Sequence, residues 1–222
     1  MDNYKNYPAL RKAVLYCRTA LQLPLLGVYL FANQKSEIEA DMERWSSVKK
    51  LSGPFLFRLA SLLSDKPFRT LVYHRVKYGS LAGEILVRTA SIFFRPVSTL
   101  VIYTREIGPG LIIQHGVCTI IAARRIGRNC WINQQVTIGY TNDSDCPTLG
   151  DNVSVGCGAK ILGNVTVGNN VKVGANAVVV KDVPENCTVV GVPARIVRKS
   201  GLRTHIESHA EEEPTGELIH HF

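Results

Sequence analysis

Beyond about residue 100 the apolar positions keep a period of six. Leu149, Val155, Ile161, Val167, Val173 and Val179 are aliphatic residues six apart without a slip, and glycine follows four of them at Gly150, Gly156, Gly168 and Gly174. Two places ahead of five of them stand Val153, Ala159, Val165, Val171 and Ala177, all small and apolar. Ile126, Ile132 and Ile138 hold the same interval, as do Val101, Ile107 and Ile113. A helix repeats its apolar face near every 3.6 residues and a half-exposed strand every second residue. Six fits neither as a single element.

A coil of short strands and corners does fit. Each six-residue unit supplies one flat side with its aliphatic residue turned inward, and Gly and Asn, as in Gly168-Asn169-Asn170, admit the positive φ of sharp corners. Coils stacked as parallel strands about 4.8 Å apart satisfy one another's backbone groups. With three sides to a coil, residues 101–190 make roughly five coils. The spacing breaks once, between Ile138 and Leu149, where eleven residues separate the aliphatic positions. The polar stretch Gly139 to Thr148 must bulge outward there, and a loop interrupting a rigid repeat is the expected place for a site.

The first hundred residues carry a helical pattern instead. Phe55, Leu59, Leu62 and Leu63 recur at helical spacing, Asp65-Lys66-Pro67 stops one helix and starts the next, and Phe68, Leu71, Val72, Arg75 and Val76 continue on one face to Gly79. A further apolar stretch runs from Ile85 to Phe94, before Arg95-Pro96. The expected class is therefore α+β: an α-helical N-terminal region over residues 1–98, a β-helix over 99–198 and a flexible tail over 199–222.

Charge sharpens this division. Residues 1–100 hold fifteen Lys/Arg against seven Asp/Glu, whereas residues 101–222 hold eleven of each, so the whole net charge of +8 sits in the helical half. A basic half could meet nucleic acid, anionic lipid or an anionic substrate, or be a plain solvated helical surface, and no nucleic-acid partner is expected. The longest apolar stretch, Thr19 to Ala32, is interrupted by Pro24 and falls short of the roughly twenty residues of a membrane span. No secretion signal opens the chain, so Cys17, Cys118, Cys130, Cys146, Cys157 and Cys187 are expected to be reduced thiols in a cytoplasmic protein. None of them stands at zinc-ligand spacing, and no metal is expected.

Four short motifs accompany the repeat: Gln114-His115-Gly116, Val136-Thr137-Ile138-Gly139, Gly158-Ala159-Lys160-Ile161-Leu162-Gly163-Asn164 and Gly191-Val192-Pro193-Ala194-Arg195. In these, residues 101–200 resemble the left-handed β-helix acyltransferases, specifically the serine acetyltransferase branch. Tyr73-His74-Arg75 resembles that branch's N-terminal helices more weakly. The resemblance implies a left-handed coil, a homotrimer and acetyl-CoA as co-substrate in a groove between neighbouring coils. It maps the catalytic histidine onto His115, the one histidine within the repeat region. An imidazole suits a base that takes a hydroxyl proton near neutral pH. Gly139, Tyr140, Cys157 and Ala175 would line the pantetheine arm, and Lys181 and Arg195, with Arg198 and Lys199, would meet the coenzyme phosphates.

The likeness breaks where the serine enzymes grip their amino acid. A carboxylate before the histidine is replaced by Gln114, an Arg-His pair before the loop's proline by Asp145 and Cys146, and an orienting aspartate by Leu100. Gln114, Asp145 and Cys146 are thus candidate acceptor contacts lacking a zwitterion clamp. The Cys146-Pro147 pair also resembles acetyltransferases of colanic-acid and capsule pathways. The expected activity is accordingly O-acetyl transfer to a sugar hydroxyl of a surface polysaccharide or its precursor, with the basic half resting peripherally on an anionic membrane. Serine O-acetyl transfer, with a rebuilt clamp, is the alternative. A non-catalytic β-helix scaffold is the third reading.

Overall fold

The structure is a computed structural model that describes residues 13–142, apart from 15 and 18, and residues 145–203. The C-terminal part of the expected tail, with His205, His209, His220 and His221, lies outside the described residues, as do residues 143 and 144.

Two textures follow one another, as the patterns require. After a short turn at Leu23–Leu25 come helices α1 (Leu26–Leu30), α2 (Lys35–Lys49), α3 (Phe55–Leu63), α4 (Lys66–Lys77) and α5 (Leu81–Phe93). Asp65 caps α4, whose Pro67 sits in the first turn where its missing N–H costs nothing, and the Ser80 hydroxyl caps α5 by accepting from the Gly83 amide at 3.0 Å. Leu59, Leu63, Phe68, Leu71 and Val76 are fully buried between these helices.

From Leu100 the chain winds as a parallel β-helix of three sheets. β1 (Leu100–Ile102), β4 (Thr119–Ile121), β7 (Thr137–Gly139), β10 (Lys160–Leu162) and β13 (Val178–Val179) stack on the first side. The second side holds β2 (Glu106–Ile107), β5 (Arg125–Ile126), β8 (Thr148–Leu149) and β11 (Thr166–Val167). On the third lie β3 (Ile112–Ile113), β6 (Trp131–Ile132), β9 (Ser154–Val155), β12 (Lys172–Val173) and β14 (Cys187–Val190). β15 (Arg195–Lys199) and β16 (Leu202–Arg203) then turn antiparallel onto β14 and close that end. The aliphatic residues of the period point inward and form one continuous core with the helices.

The register differs from the sequence reading in two places. In the first coil the inward column begins at Ile102 and not at Val101, because Ile102 pairs with Ile121, and Ile121 with Ile138. The cause is a short first corner, with only five residues from Ile102 to Ile107 as from Ile121 to Ile126. Separately, the corner between Ile113 and Ile121 holds two residues more than the usual interval. The ten-residue loop Gly139–Thr148 is therefore one break among several. The last coil also shortens, with Val183 bridging to Val167 only four residues after Val179.

One buried ion pair joins the helices to the first coil. Asp41 of α2 and Arg75 of α4 are 0% and 2% exposed and meet at 2.6 and 3.1 Å. The same carboxylate accepts from the amides of Gly110 at 2.7 Å and Leu111 at 3.0 Å. The guanidinium donates to the carbonyls of Ile107 and Gly108, each at 2.9 Å. Burial pushes the Asp41 carboxyl up, against the downward pull of Arg75 and the two amides. One turn on, the Arg44 guanidinium reaches the Gly110 carbonyl and, at 2.9 Å, that of Cys130, and the Trp45 indole donates to the Leu111 carbonyl at 2.8 Å. Asp41, Arg44 and Trp45 are spaced to share one face of α2. Arg69 of α4 is also buried and donates to the carbonyls of Leu63 and Arg95. Part of the basic excess of the helical half is thus spent inside the fold rather than offered to an anionic surface.

Two outcomes follow from this docking. Arg75→Met strands the Asp41 charge and is expected to cost about 3–5 kcal/mol in urea unfolding. His74 donates from Nε2 to the Thr104 carbonyl at 2.8 Å, and burial pushes its pKa down from 6.5 to about 4. Because the folded value lies below the free one, this contribution is complete above about pH 6.5 and is lost as pH falls towards 4. Unfolding free energy should drop across that window by up to about 3 kcal/mol, and His74→Gln should flatten the decline.

Candidate active site

The extra two residues in the first coil are the histidine turn itself. His115 and Gly116 have φ of 65° and 64°, and the Gly116 amide bonds back to the Gln114 carbonyl at 2.8 Å. A histidine in the left-handed region is uncommon and costs on the order of 1 kcal/mol. The turn projects an exposed imidazole from a corner whose other coils lack any such insertion. Leu100 packs so closely against the turn that a Cβ on Gly116 would lie 3.0 Å from the leucine.

That corner, between the third and first sides, continues down the helix as a column. The Gln135 amide bonds to the Val117 carbonyl, Gly158 to Gln134, and Asn176 to Cys157. Val117, Gln134, Cys157 and Ala175 therefore stand one above another, about 4.8 Å per coil. Cys157 and Ala175 thus share an edge with His115. The Gly158 corner is tight: its φ is +73°, and an added Cβ would lie 2.0 Å from the Asn176 Oδ1.

The loop from Gly139 to Thr148 leaves the coil at a different corner, between the first and second sides. Gly139 is buried in β7 and Tyr140 is exposed. Asp145 accepts from the amides of Thr141 at 2.8 Å and Asn142 at 3.0 Å and from the Thr141 hydroxyl, bonds that hold its carboxyl below the usual carboxylate range. It ties its own loop. Cys146 follows it, half-buried, at this second corner. Within one chain the loop and His115 do not meet. Gln114 stays beside His115, with its side-chain oxygen taking the Trp131 indole proton at 3.1 Å.

Lys181 is exposed in the turn after β13, and Arg195, Arg198 and Lys199 are exposed along β15. The Gly191–Arg195 motif covers the last strand of the first side, where Val178 donates to Gly191 and Ala194 donates to Val178. Among the described residues no His/Cys/Asp/Glu group could hold a metal, and no helix is long and apolar enough to cross a membrane.

Sequence reading passed over a cavity of about 650 Å³ that the helices build against His115. Trp45, Lys49, Asp65 and Lys66 line it from the helical side, and Gln114, His115 and Trp131 from the coil. Asp65-Lys66-Pro67 was legible as a helix boundary, but nothing in its pattern indicates what it faces.

The repeat defines the class. Residues 146–181 match the model of the bacterial transferase hexapeptide (six repeats) family. A serine acetyltransferase of Synechococcus elongatus is 39% identical over 160 residues, which cover 69% of this chain and 66% of that protein. The crystal structure of the Neisseria gonorrhoeae serine acetyltransferase superposes with a TM-score of 0.56 at 31% identity, covering 76% of this chain and 67% of that one. The Brucella abortus serine acetyltransferase in complex with coenzyme A gives 0.58 at 28% identity, covering 87% and 84%. The chain belongs to the serine acetyltransferase family of left-handed β-helix transferases. It spans 66% of the cyanobacterial relative and under half of staphylococcal ones, at 47% and 48%.

These relatives overturn the sugar-acceptor expectation and its link to colanic-acid and capsule enzymes. The geometry explains the error. Gln114 is engaged by Trp131 and Asp145 by its own loop, so the substituted positions do not form one clamp in this chain.

Gly158→Ala tests the corner column. The left-handed φ and the clash with Asn176 should cost about 1–3 kcal/mol in thermal unfolding, more than alanine at the roomy Gly139.

Proposed function

We propose that the protein is an acetyl-CoA-dependent serine O-acetyltransferase with His115 as its general base. One observation carries this reading: a histidine held in a strained insertion stands at the head of a column that continues through Cys157 and Ala175. The family's activity supplies the rest. His115 takes the proton of the serine hydroxyl as its oxygen attacks the thioester carbonyl. The C–S bond then breaks, the coenzyme leaves as its thiolate and takes up the proton, and O-acetylserine remains. Cys157 and Ala175 present small side chains, which lets the pantetheine arm approach the backbone. Lys181 and Arg195 stand as cationic partners for the coenzyme phosphates.

We further infer a homotrimer. The His115 corner and the Gly139–Thr148 loop are separated within one chain, and cyclic packing of a three-sided coil brings such corners together between subunits. Tyr140 and Cys146 then belong to a neighbour's half of the site. Cys146 is a contact residue in this scheme, because transfer from acetyl-CoA is direct.

The measurement is coenzyme release from acetyl-CoA with L-serine as acceptor. Serine-dependent release is expected, and His115→Ala should lower kcat by about 10²–10⁴. Cys146→Ser should retain turnover. Release that ignores serine would overturn the assignment.

A further inference from the structure

The third side of the β-helix carries a row of cations at the end away from the helices. Trp131, Ser154, Lys172, Thr188, Arg198 and Arg203 are successive cross-strand partners, so they share the outward face. Lys172 and Arg198 flank Thr188, two strand spacings or about 10 Å apart at their Cα atoms. The Ser200-Gly201 turn, with φ of 51° and 82°, is a tight hairpin that sets Arg203 directly opposite Arg198. Like charges placed opposite one another on a sheet repel. Among the described residues no carboxylate pairs with any of the three cations. The acids of the neighbouring turns are engaged elsewhere. Asp151 and Asp182 accept from the amides of Arg128 and Thr166, each at 2.7 Å, and Glu185 borders the second side.

A hydrogen-bond ladder converges on the same place. Asn152, Asn170 and Asn186 stack at the corner between the second and third sides, with φ of 58°, 59° and 58°. Their side chains are directed one way: the Asn152 Nδ2 donates to the Asn170 Oδ1 at 3.0 Å, and the Asn170 Nδ2 to the Asn186 Oδ1 at 2.9 Å. Next in the column is Ser200, whose amide donates to the Asn186 carbonyl at 2.8 Å. A serine has no amide oxygen to continue the ladder, so the Asn186 Nδ2 is its last donor. Asn186 borders a cavity of about 440 Å³ that Lys172, Thr188, Arg198 and Ser200 also line, and no carboxylate is among its described walls.

We propose that this cavity binds a phosphate-class oxyanion, separately from the coenzyme cations Lys181 and Arg195. The ammonium, guanidinium, hydroxyl and carboxamide groups around it all offer donors, and a tetrahedral dianion brings enough acceptor oxygens to meet them together. It also offsets two of the row's three charges, where chloride offsets one. Arg198 lies across a register shift from Arg195, which stands towards the corner with the first side. An anion held by Lys172, Thr188 and Arg198 ties β12 to β14 and β15, and so fastens the meander that closes the coil.

The test is thermal unfolding and calorimetry of the full chain with coenzyme A saturating, so that coenzyme contacts are already made. Inorganic phosphate should raise Tm by about 2 °C or more over sodium chloride of equal ionic strength. Lys172→Gln and Arg198→Gln should each weaken phosphate binding about tenfold or more and abolish that excess shift. In chloride both variants should unfold no lower than the unaltered chain, because each removes repulsion from the row. AMP as a second probe separates the sources: a response to phosphate alone marks the free anion, and a response to both marks a phosphate ester as well. A shift that persists in both variants is general salt exclusion and would overturn the site. Phosphate binding seen only without coenzyme A would assign these cations to the coenzyme and overturn it equally.

Discussion

The Asp41–Arg75 pair solves a problem that every parallel β-helix has at its ends. An interior coil bonds to the coils above and below, but the first coil has none above it, and unpaired backbone groups there invite water or another chain. Here the helices supply the missing partners. Asp41 takes the amides of Gly110 and Leu111, Arg75 the carbonyls of Ile107 and Gly108, Arg44 and Trp45 those of Gly110 and Leu111, and His74 that of Thr104. The helical half is therefore the cap of the solenoid at one end, as the β14–β15–β16 meander is at the other. A buried ion pair contributes little net stability by itself. This one fixes geometry, since four backbone groups of the coil must meet two side chains on two helices at once.

The placement of the candidate site depends on that cap. The histidine turn is inserted in the capped coil, directly after β3, and the residues of β3 line the cavity together with α2 and α4. Were the helices docked differently, His115 would face open solvent on that side. Strain at His115 is tolerated because Gly116 packs on Leu100 below and the coil beneath is regular. An aspartate in place of Leu100 would have placed a charge there. The leucine supports the turn by contact.

Much of the fold was legible because its signal repeats. Six aliphatic residues at one interval require one structural solution, and the structure places Leu149 to Val179 inward as that interval demands. The register failed at Val101 because the first corner is one residue short, and the adjacent Val101 and Ile102 are both aliphatic, so an interval of six picks the wrong one. The boundary at Asp65-Lys66-Pro67 was readable from cap and proline chemistry, which are local. The Asp41–Arg75 pair was not: Arg75 falls on the apolar face of its helix, but no local signal marks a partner thirty-four positions away. The net charge of the first half is likewise only partly a surface property, since Arg75, Arg69 and Arg44 count toward it and donate to backbone carbonyls inside the fold.

The mistaken acceptor has a more general cause. Inferring a neutral acceptor from Gln114, Asp145 and Cys146 assumes that a binding role stays at its aligned position. Charge complementarity constrains only the space where the ligand sits, and any element that reaches that space can satisfy it. A substituted loop thus reports that the loop has changed, and by itself it does not give the acceptor's charge.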